Sequence, residues 1–345
     1  MTIPKSTFFK GFEWTGERIG YPDRAIKGDT YPQTWAADGE IYASSGDPHW
    51  GESSDGLDTE VFSGMAPDFK ITKFRHMNDY KGWGGGGPKP SGMISVKGVL
   101  YLAFQNLKSL TTPPQSLQSQ PGADAQIVYY KPNSQLEWIP TLANIKEPMF
   151  PGYKFGGPAF VQHGKDNADA RDEYVYAIST DQWDNGSNLR LGRVHQDFIP
   201  EAGKWEWVKA FDADGSPVWG GKLEDAISVL SIHRHLGLPE MVYLASVDRY
   251  LLLSWRLRKD FSAVDGTDLF IFDAPNPWGP FTLVHSEELW QGKAFTPYCP
   301  RVPLKWFDQD KLEGWMLFSG SWDAVAQWKL GYYCANVRPF RLLRA

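Results

Sequence analysis

One short phrase recurs five times along this chain, and it limits the fold more than any other feature. An apolar run opens after a small or turn residue, crosses a turn, and returns as an aromatic-rich run. The copies read QTWAADGEIYASS from Gln33, SGMISVKGVLYLAF from Ser91, GPAFVQHGKDNADARDEYVYAIS from Gly157, PEMVYLASVDRYLLLSW from Pro239 and CPRVPLKWFDQDKLEGWMLFSG from Cys299. Their turns are Asp38-Gly39, Lys97-Gly98, Gly164 to Asp172, Val247-Asp248 and Asp308 to Glu313. Each is a β-hairpin signal, two strand-like runs joined by turn chemistry. The copies start roughly 58 to 82 residues apart, and a supersecondary unit repeated at such intervals builds a closed radial array. The expected fold is all-β, a five-bladed β-propeller with inner hairpins starting near 33, 91, 157, 239 and 299.

Residues 1–345 read as one such domain, because radially repeated all-β folds run long as a single unit. The last copy leaves a short final blade, whereas the first 32 residues carry Phe8, Phe9, Phe12 and Trp14 in a polar setting. The N-terminal segment is therefore expected to supply the outer strand of that blade and close the ring. The chain is 42% hydrophobic with 16 Trp, enough apolar area for a core. A net charge of −6 with scattered Lys and Arg argues against a nucleic-acid partner. There is neither a charged segment leading into an apolar run nor a window of 18 apolar residues, so a membrane partner is not expected either. A chain of this kind is expected to be soluble, in the cytoplasm or after removal of an export signal. Cys299 and Cys334 both fall in the last unit and read either as buried free thiols or as a bridge between neighbouring strands. The segments 84–90, 111–124 and 212–225 read as long loops that pile onto one face.

In a propeller the first strand of each blade lines the central channel, so the starts of the five inner strands converge. Lys89, Glu240, Tyr298 and Arg301 stand at such starts, with Gln33, Thr34 and Trp35 in the first blade. Glu240 precedes the apolar run Met-Val-Tyr-Leu, where a solvated glutamate is out of pattern. The competing reading is an axial ion pair with Arg301 or Lys89. Asp47 ends the first hairpin, Asp181 and Asp184 follow the third, and Asp323 follows the fifth, all on one Trp/Asp-rich rim. Asp at a strand end is also the common turn residue, and Asp38 and Asp248 are assigned to turn geometry. Trp50, Trp183 and Trp322 flank the rim acids, and an indole face beside carboxylates suits a sugar ring, whose C–H groups stack while its hydroxyls need fixed partners. For any single Trp, blade packing is the plainer role.

Other signals are weak. GGGGPKP lacks the Lys-Ser/Thr ending and helix of a phosphate loop. His233 and His235 share a strand side but are one ligand short of a zinc site. No Gly-x-Ser-x-Gly elbow is present. No cofactor or catalytic metal is required, and a hydrated structural Ca²⁺ in the central channel is compatible with the pattern.

The phrases KPSGMISVKGVLYL, GGPAFVQ, LPEMVYLASVDRYLLLSW and APNPWGPFTLV resemble those of five-bladed propeller proteins related to arabinanase and β-xylosidase-type glycoside hydrolases. They are most similar to a bacterial group of unassigned function that includes D-arabinan-degrading enzymes. The resemblance spans about Tyr31 to Leu342. It implies two or three channel-facing carboxylates, with Glu240 in the place of the fourth-blade carboxylate. The chain departs in blade one, where relatives carry an aspartate at the start of the inner strand and this sequence reads Gln33-Thr34-Trp35-Ala36-Ala37. The resulting expectation is a glycosidase acting on a polysaccharide or oligosaccharide, possible substrates including furanosides. Glu240 would be the general acid, and Asp47 first, Asp184 second, the base or nucleophile. Trp35, Trp50, Lys89, His163, Trp183, Tyr298, Arg301 and Trp322 would bind sugar. Two alternatives stay open: a lyase acting on a uronate-containing glycan through Arg301, Lys89, His163 and Tyr298, and a non-catalytic carbohydrate-binding propeller.

Overall fold

The computed structural model describes the chain apart from residues 1–2, 22–27, 49–55, 76, 78–79, 82–86, 111–122, 133, 135, 260–264, 293–294 and 321–332. Five antiparallel sheets are arranged as the blades of a propeller. Blade one is Gln33–Trp35, Ile41–Gly46, Leu57–Ser63 and Lys70–Arg75, and blade two is Lys89–Val96, Val99–Gln105, Asp124–Tyr130 and Phe150–Pro151. Blade three runs Ala159–Phe160, Tyr174–Thr180, Gly186–His195 and Glu206–Phe211, and blade four Glu240–Leu244, Arg249–Leu257, Thr267–Ala274 and Thr282–Glu287. Blade five is Tyr298–Arg301, Glu313–Gly320 and Cys334–Arg344, and its fourth strand is Phe9–Trp14 from the N-terminus.

The expected closure is present. Phe12 pairs with Leu342 and Trp14 with Phe340 across an antiparallel ladder, and Ile19–Gly20 adds a second contact at Val337 and Asn336. Phe9 and Phe12 are buried in the seam between blades four and five, beside Leu251, Ile271, Met316 and Phe318. The hydrophobic core is correspondingly divided: one apolar cluster fills each of the five seams between adjacent sheets. Both faces of a blade are thus buried. This accounts for the continuous apolar runs in the sequence: successive side chains alternate between faces, so Leu251 and Leu253 enter one seam and Leu252 the next.

The tight turns at the far ends of the inner hairpins share a device. Asp38 accepts the Glu40 N–H at 2.9 Å and the Tyr42 hydroxyl at 2.8 Å, and Asp172 accepts the Tyr174 N–H at 2.9 Å and the Tyr176 hydroxyl at 2.7 Å. Asp248, at φ 49°, accepts the Tyr243 hydroxyl at 2.9 Å. Turn aspartates with an aromatic partner on the adjoining strand set this end of the blade.

Blade three departs from expectation. The stretch 212–225, read as loop, contains the strand Pro217–Gly220, and Leu230–Leu236 pairs with Gly186–His195 as a further strand. The reason is local: Asp214-Gly215, with Gly215 at φ +83°, closes a hairpin in which the Asp212 N–H meets the Ser216 carbonyl at 2.9 Å. Four residues are too few for their alternation to show in sequence. Lys89 and Pro90, also read as loop, open the inner strand of blade two. Cys299 and Cys334 are buried and not bridged by a disulfide. Among the described residues, no helix is long and apolar enough to cross a membrane.

Closure makes Phe9 a sensitive position, since it is 1% exposed on the strand that completes the ring. Phe9→Ala is expected to cost about 3 kcal/mol, read as a lower urea midpoint with an unchanged slope. An unchanged midpoint would mean that the N-terminal strand is not part of the cooperative fold.

Candidate active site

All five inner strands start at the same end of the channel, and the acids gather there. Glu240, 3% exposed, opens the inner strand of blade four. Its Oε1 accepts the Gln33 side-chain amide of blade one at 3.0 Å, and its Oε2 accepts the Val302 backbone N–H of blade five. The contact from blade four to blade one places Glu240 on the axis. Burial pushes its carboxyl above the usual range, against the opposing charge of Arg301 and the hydrogen bonds from Val302 and Gln33.

Blade one supplies an acid that the sequence analysis missed. Asp29 pairs with Gly46 through two backbone hydrogen bonds of 2.9 Å, continuing the blade beyond Gln33. Between them, Thr30 and Tyr31 adopt φ 64° and 38°, a region a β-branched or bulky residue rarely enters. The strain is held by the Ser319 hydroxyl on the Thr30 N–H (2.8 Å), by Arg301 Nε on the Thr30 carbonyl (3.0 Å) and by the Tyr31 hydroxyl on Gly28 (2.9 Å). Strained backbone held on several sides is found at functional sites. The kink also explains the omission: the regular strand starts at Gln33, four residues after the carboxylate. The signal available in sequence was the Gly28-Asp29 step before Pro32.

Asp29 is 5% exposed. Tyr298 donates its hydroxyl to Oδ2 at 2.9 Å, and Tyr333, also missed in the sequence, supplies a second hydrogen bond. Oδ1 is buried with no hydrogen-bond partner and lies against the Cα of Gly46, where any Cβ would collide with it. Burial first, then the negative charge of Asp47, pushes the Asp29 carboxyl up to about 7, while Tyr333, Lys89 and Tyr298 act in the opposite direction. Asp47, at φ 47°, is ion-paired through Oδ1 with Lys89 Nζ at 2.9 Å, and both are nearly buried.

Arg301 ties the two acids' strands together. Its Nε donates to the carbonyl of Thr30, next to Asp29, and its Nη1 to the carbonyl of Pro239, next to Glu240, at 2.7 Å. Its Nη2 is buried with no partner. A wall of aromatic rings stands behind Tyr298: Trp183 and Trp255 have centroids 5.4 Å apart, and Trp255 lies 5.5 Å from Tyr298. Tyr333, Leu238, Leu257 and Cys299 complete this cluster.

The structure therefore brings Glu240, Asp47, Lys89, Trp183, Tyr298 and Arg301 to one end of the channel. Trp183, 5% exposed, is part of the wall rather than an open platform. Asp184, 4% exposed, sits on the turn between the second and third strands of blade three; burial raises its carboxyl, and the Asn185 N–H at 2.8 Å opposes the rise. Trp35 ends the first inner strand and packs against the seam of blades four and five. His163 is placed elsewhere. Gln162 bridges Val242, so His163 lies level with Tyr243, roughly 10 Å down the channel from Glu240. Its ring sits between Tyr243 and Tyr250, and burial pushes its pKa down to about 4, keeping it neutral. Trp50 and Trp322 lie outside the described residues. Among the described residues, no group of three or more His, Cys, Asp or Glu side chains is placed to hold a metal ion.

Neither a family model nor a curated protein matches this chain. Solved structures do. A candidate hydrolase from Bacteroides ovatus aligns with a TM-score of 0.58 at 14% identity, over 94% of this chain and 87% of that one. A xylan β-1,4-xylosidase from Bacillus halodurans aligns at 0.51 and 12% identity, over 98% of this chain and 56% of that one. A GH43_1 enzyme from Xanthomonas citri aligns at 0.50 and 15% identity, over 95% and 90%. The likeness is one of fold. Glycoside hydrolases of this propeller type are what the chain is similar to in shape, at identities too low to carry residues across.

The raised Asp29 carboxyl sets a direction for stability against pH. Between about pH 4 and pH 7 the folded chain holds a proton that the unfolded chain, with an Asp near 3.9, has released, so stability falls as pH rises through that window. Asp29→Asn, which needs no proton, is expected to flatten this slope and to be more stable than the parent at pH 8. Urea unfolding at pH 5 and pH 8 measures it, and equal slopes would remove Asp29 as the cause.

Proposed function

We propose that this propeller is a glycoside hydrolase in which Glu240 is the general acid and Asp29 the base or nucleophile. The observation that carries the reading is the placing of two buried carboxyls, both shifted upward, at the same end of the channel on blades one and four, with Arg301 bonded beside the strand of each. A carboxyl whose proton affinity burial raises suits delivery of a proton to the departing glycosidic oxygen, and one titrating near neutrality suits a base. The Asp29 carboxyl is held in one orientation, with Oδ2 bonded to Tyr298 and Oδ1 packed against Gly46. Asp47, bound to Lys89, acts as a charged neighbour that raises Asp29. The unpartnered Nη2 of Arg301 is a ready donor for a sugar hydroxyl. The separation of the two reacting carboxyls sets the outcome, about 5 to 5.5 Å for retention and about 6.5 to 9.5 Å for inversion. Fold likeness to a xylan β-1,4-xylosidase supports a pentose-containing glycan as the first substrate class to assay.

The test is a panel of aryl glycosides and plant and microbial polysaccharides assayed for new reducing ends and for ultraviolet-absorbing unsaturated products. Hydrolysis is expected. On the substrate found, Glu240→Gln should lower kcat by about 10² to 10⁴, and by much less when the aglycone is a dinitrophenolate that leaves without a proton. Asp29→Asn should lose as much and regain turnover with azide. Unsaturated products would indicate elimination instead, and an unchanged kcat in Glu240→Gln would remove the acid assignment.

A further inference from the structure

Blade three contains a buried cation, two of whose three guanidinium nitrogens have no acceptor among the described residues. Arg190, in the third strand, is 7% exposed, and its Nε and Nη1 are both buried without an acceptor. Among the described residues no carboxylate pairs with it, although every other arginine this deeply buried is bonded: Arg301 donates to two carbonyls. Burying a guanidinium this way is costly, because no protein acceptor among the described residues replaces the hydration lost at Nε and Nη1. A leucine or methionine would fill the seam at no such cost.

Its position is informative. Leu189 and Leu191, on either side, enter the seam with blade four, so alternation turns Arg190 toward blade two. Arg190 pairs with Ser179, whose hydroxyl accepts the Gly157 N–H at 3.1 Å at the start of the third inner strand. Arg190 therefore stands at the same end of the propeller as Glu240 and Asp29, two strand spacings or roughly 10 Å outside the inner strand. Its guanidinium carbon is 5.6 Å from the ring centroid of Tyr153, a residue of the blade two to three connection that is 52% exposed. Tyr153 also lines an open groove with Met149, Pro151, Lys154 and Lys222.

We infer that Arg190 is the receptor for an oxyanion substituent, a carboxylate or phosphate, carried by a sugar farther along the glycan than the one being cleaved. This rests on the glycan reading above. The guanidinium fork matches two oxygens of one such group, and the ring of Tyr153 offers a face for the sugar that bears it. A neutral hydroxyl would satisfy one N–H but leave the charge unopposed, so the site selects for anionic glycans.

The experiment titrates the full chain with glucuronate, glucose 6-phosphate and glucose at fixed ionic strength, following Tm and NMR shifts. At least one charged sugar is expected to bind saturably where glucose does not, and comparison of the two tells carboxylate from phosphate. Arg190→Met should weaken that binding by about tenfold or more, with Arg190→Lys intermediate. Should Arg190→Met not fold, a wild-type crystal soaked in the responding sugar is expected to show its oxyanion bonded to the Arg190 guanidinium. No preference for a charged sugar, binding that survives Arg190→Met, or an oxyanion seated elsewhere would each overturn the receptor. Hydrolysis without anion preference would overturn it and leave the hydrolase reading intact, whereas anion binding at Arg190 with no glycan hydrolysed would do the reverse.

Discussion

The ladder between Phe9–Trp14 and Cys334–Arg344 is the constraint on which the remaining structure depends. An open set of five sheets would leave an unpaired edge and a half-exposed seam, and its inner strands would have no reason to share an axis. Closed, the ring leaves the starts of those strands nowhere to go but toward one another. Glu240 thereby meets Gln33 and Val302, residues far from it in sequence.

Convergence then does electrostatic work. Carboxyls held at the centre of a closed ring lose water, and loss of water disfavours the charged form. Glu240 and Asp29 both rise for this reason first, and nearby charges of either sign adjust the rise. The backbone contributes as well, since the left-handed residues Thr30, Tyr31, Asp47 and Cys299 all lie at this end of the channel. Seam packing and multiple hydrogen bonds hold a geometry that an isolated strand would relax, which is the usual relation between a stable scaffold and a strained site.

Much of this was legible in the chain because the hairpin pattern is a local signal. Inner strands expected near 33, 91, 157, 239 and 299 are observed from Gln33, Lys89, Ala159, Glu240 and Tyr298. Glu240 and Arg301 stood out because a charge inside an apolar strand is a conflict visible in sequence. Asp29 did not, because the link between it and Gln33 is a kink with no period, and kinks are defined by φ values that residue identity only weakly constrains. The extra strand Pro217–Gly220 went unseen because four residues carry almost no alternation. His163 looked like a partner for the site because sequence order does not show how far along the channel a residue lies.

By itself, then, the sequence determined the blade count, the hairpin turns and the strands whose two faces are both buried, since each follows from the spacing of apolar and turn residues a few positions apart. Only the tertiary structure decided which acids share one end of the channel, that blade one brings Asp29 there, and that Nε and Nη1 of Arg190 are left without an acceptor among the described residues. Those outcomes depend on contacts between blades and on the loss of water at their meeting points, quantities that no local pattern contains.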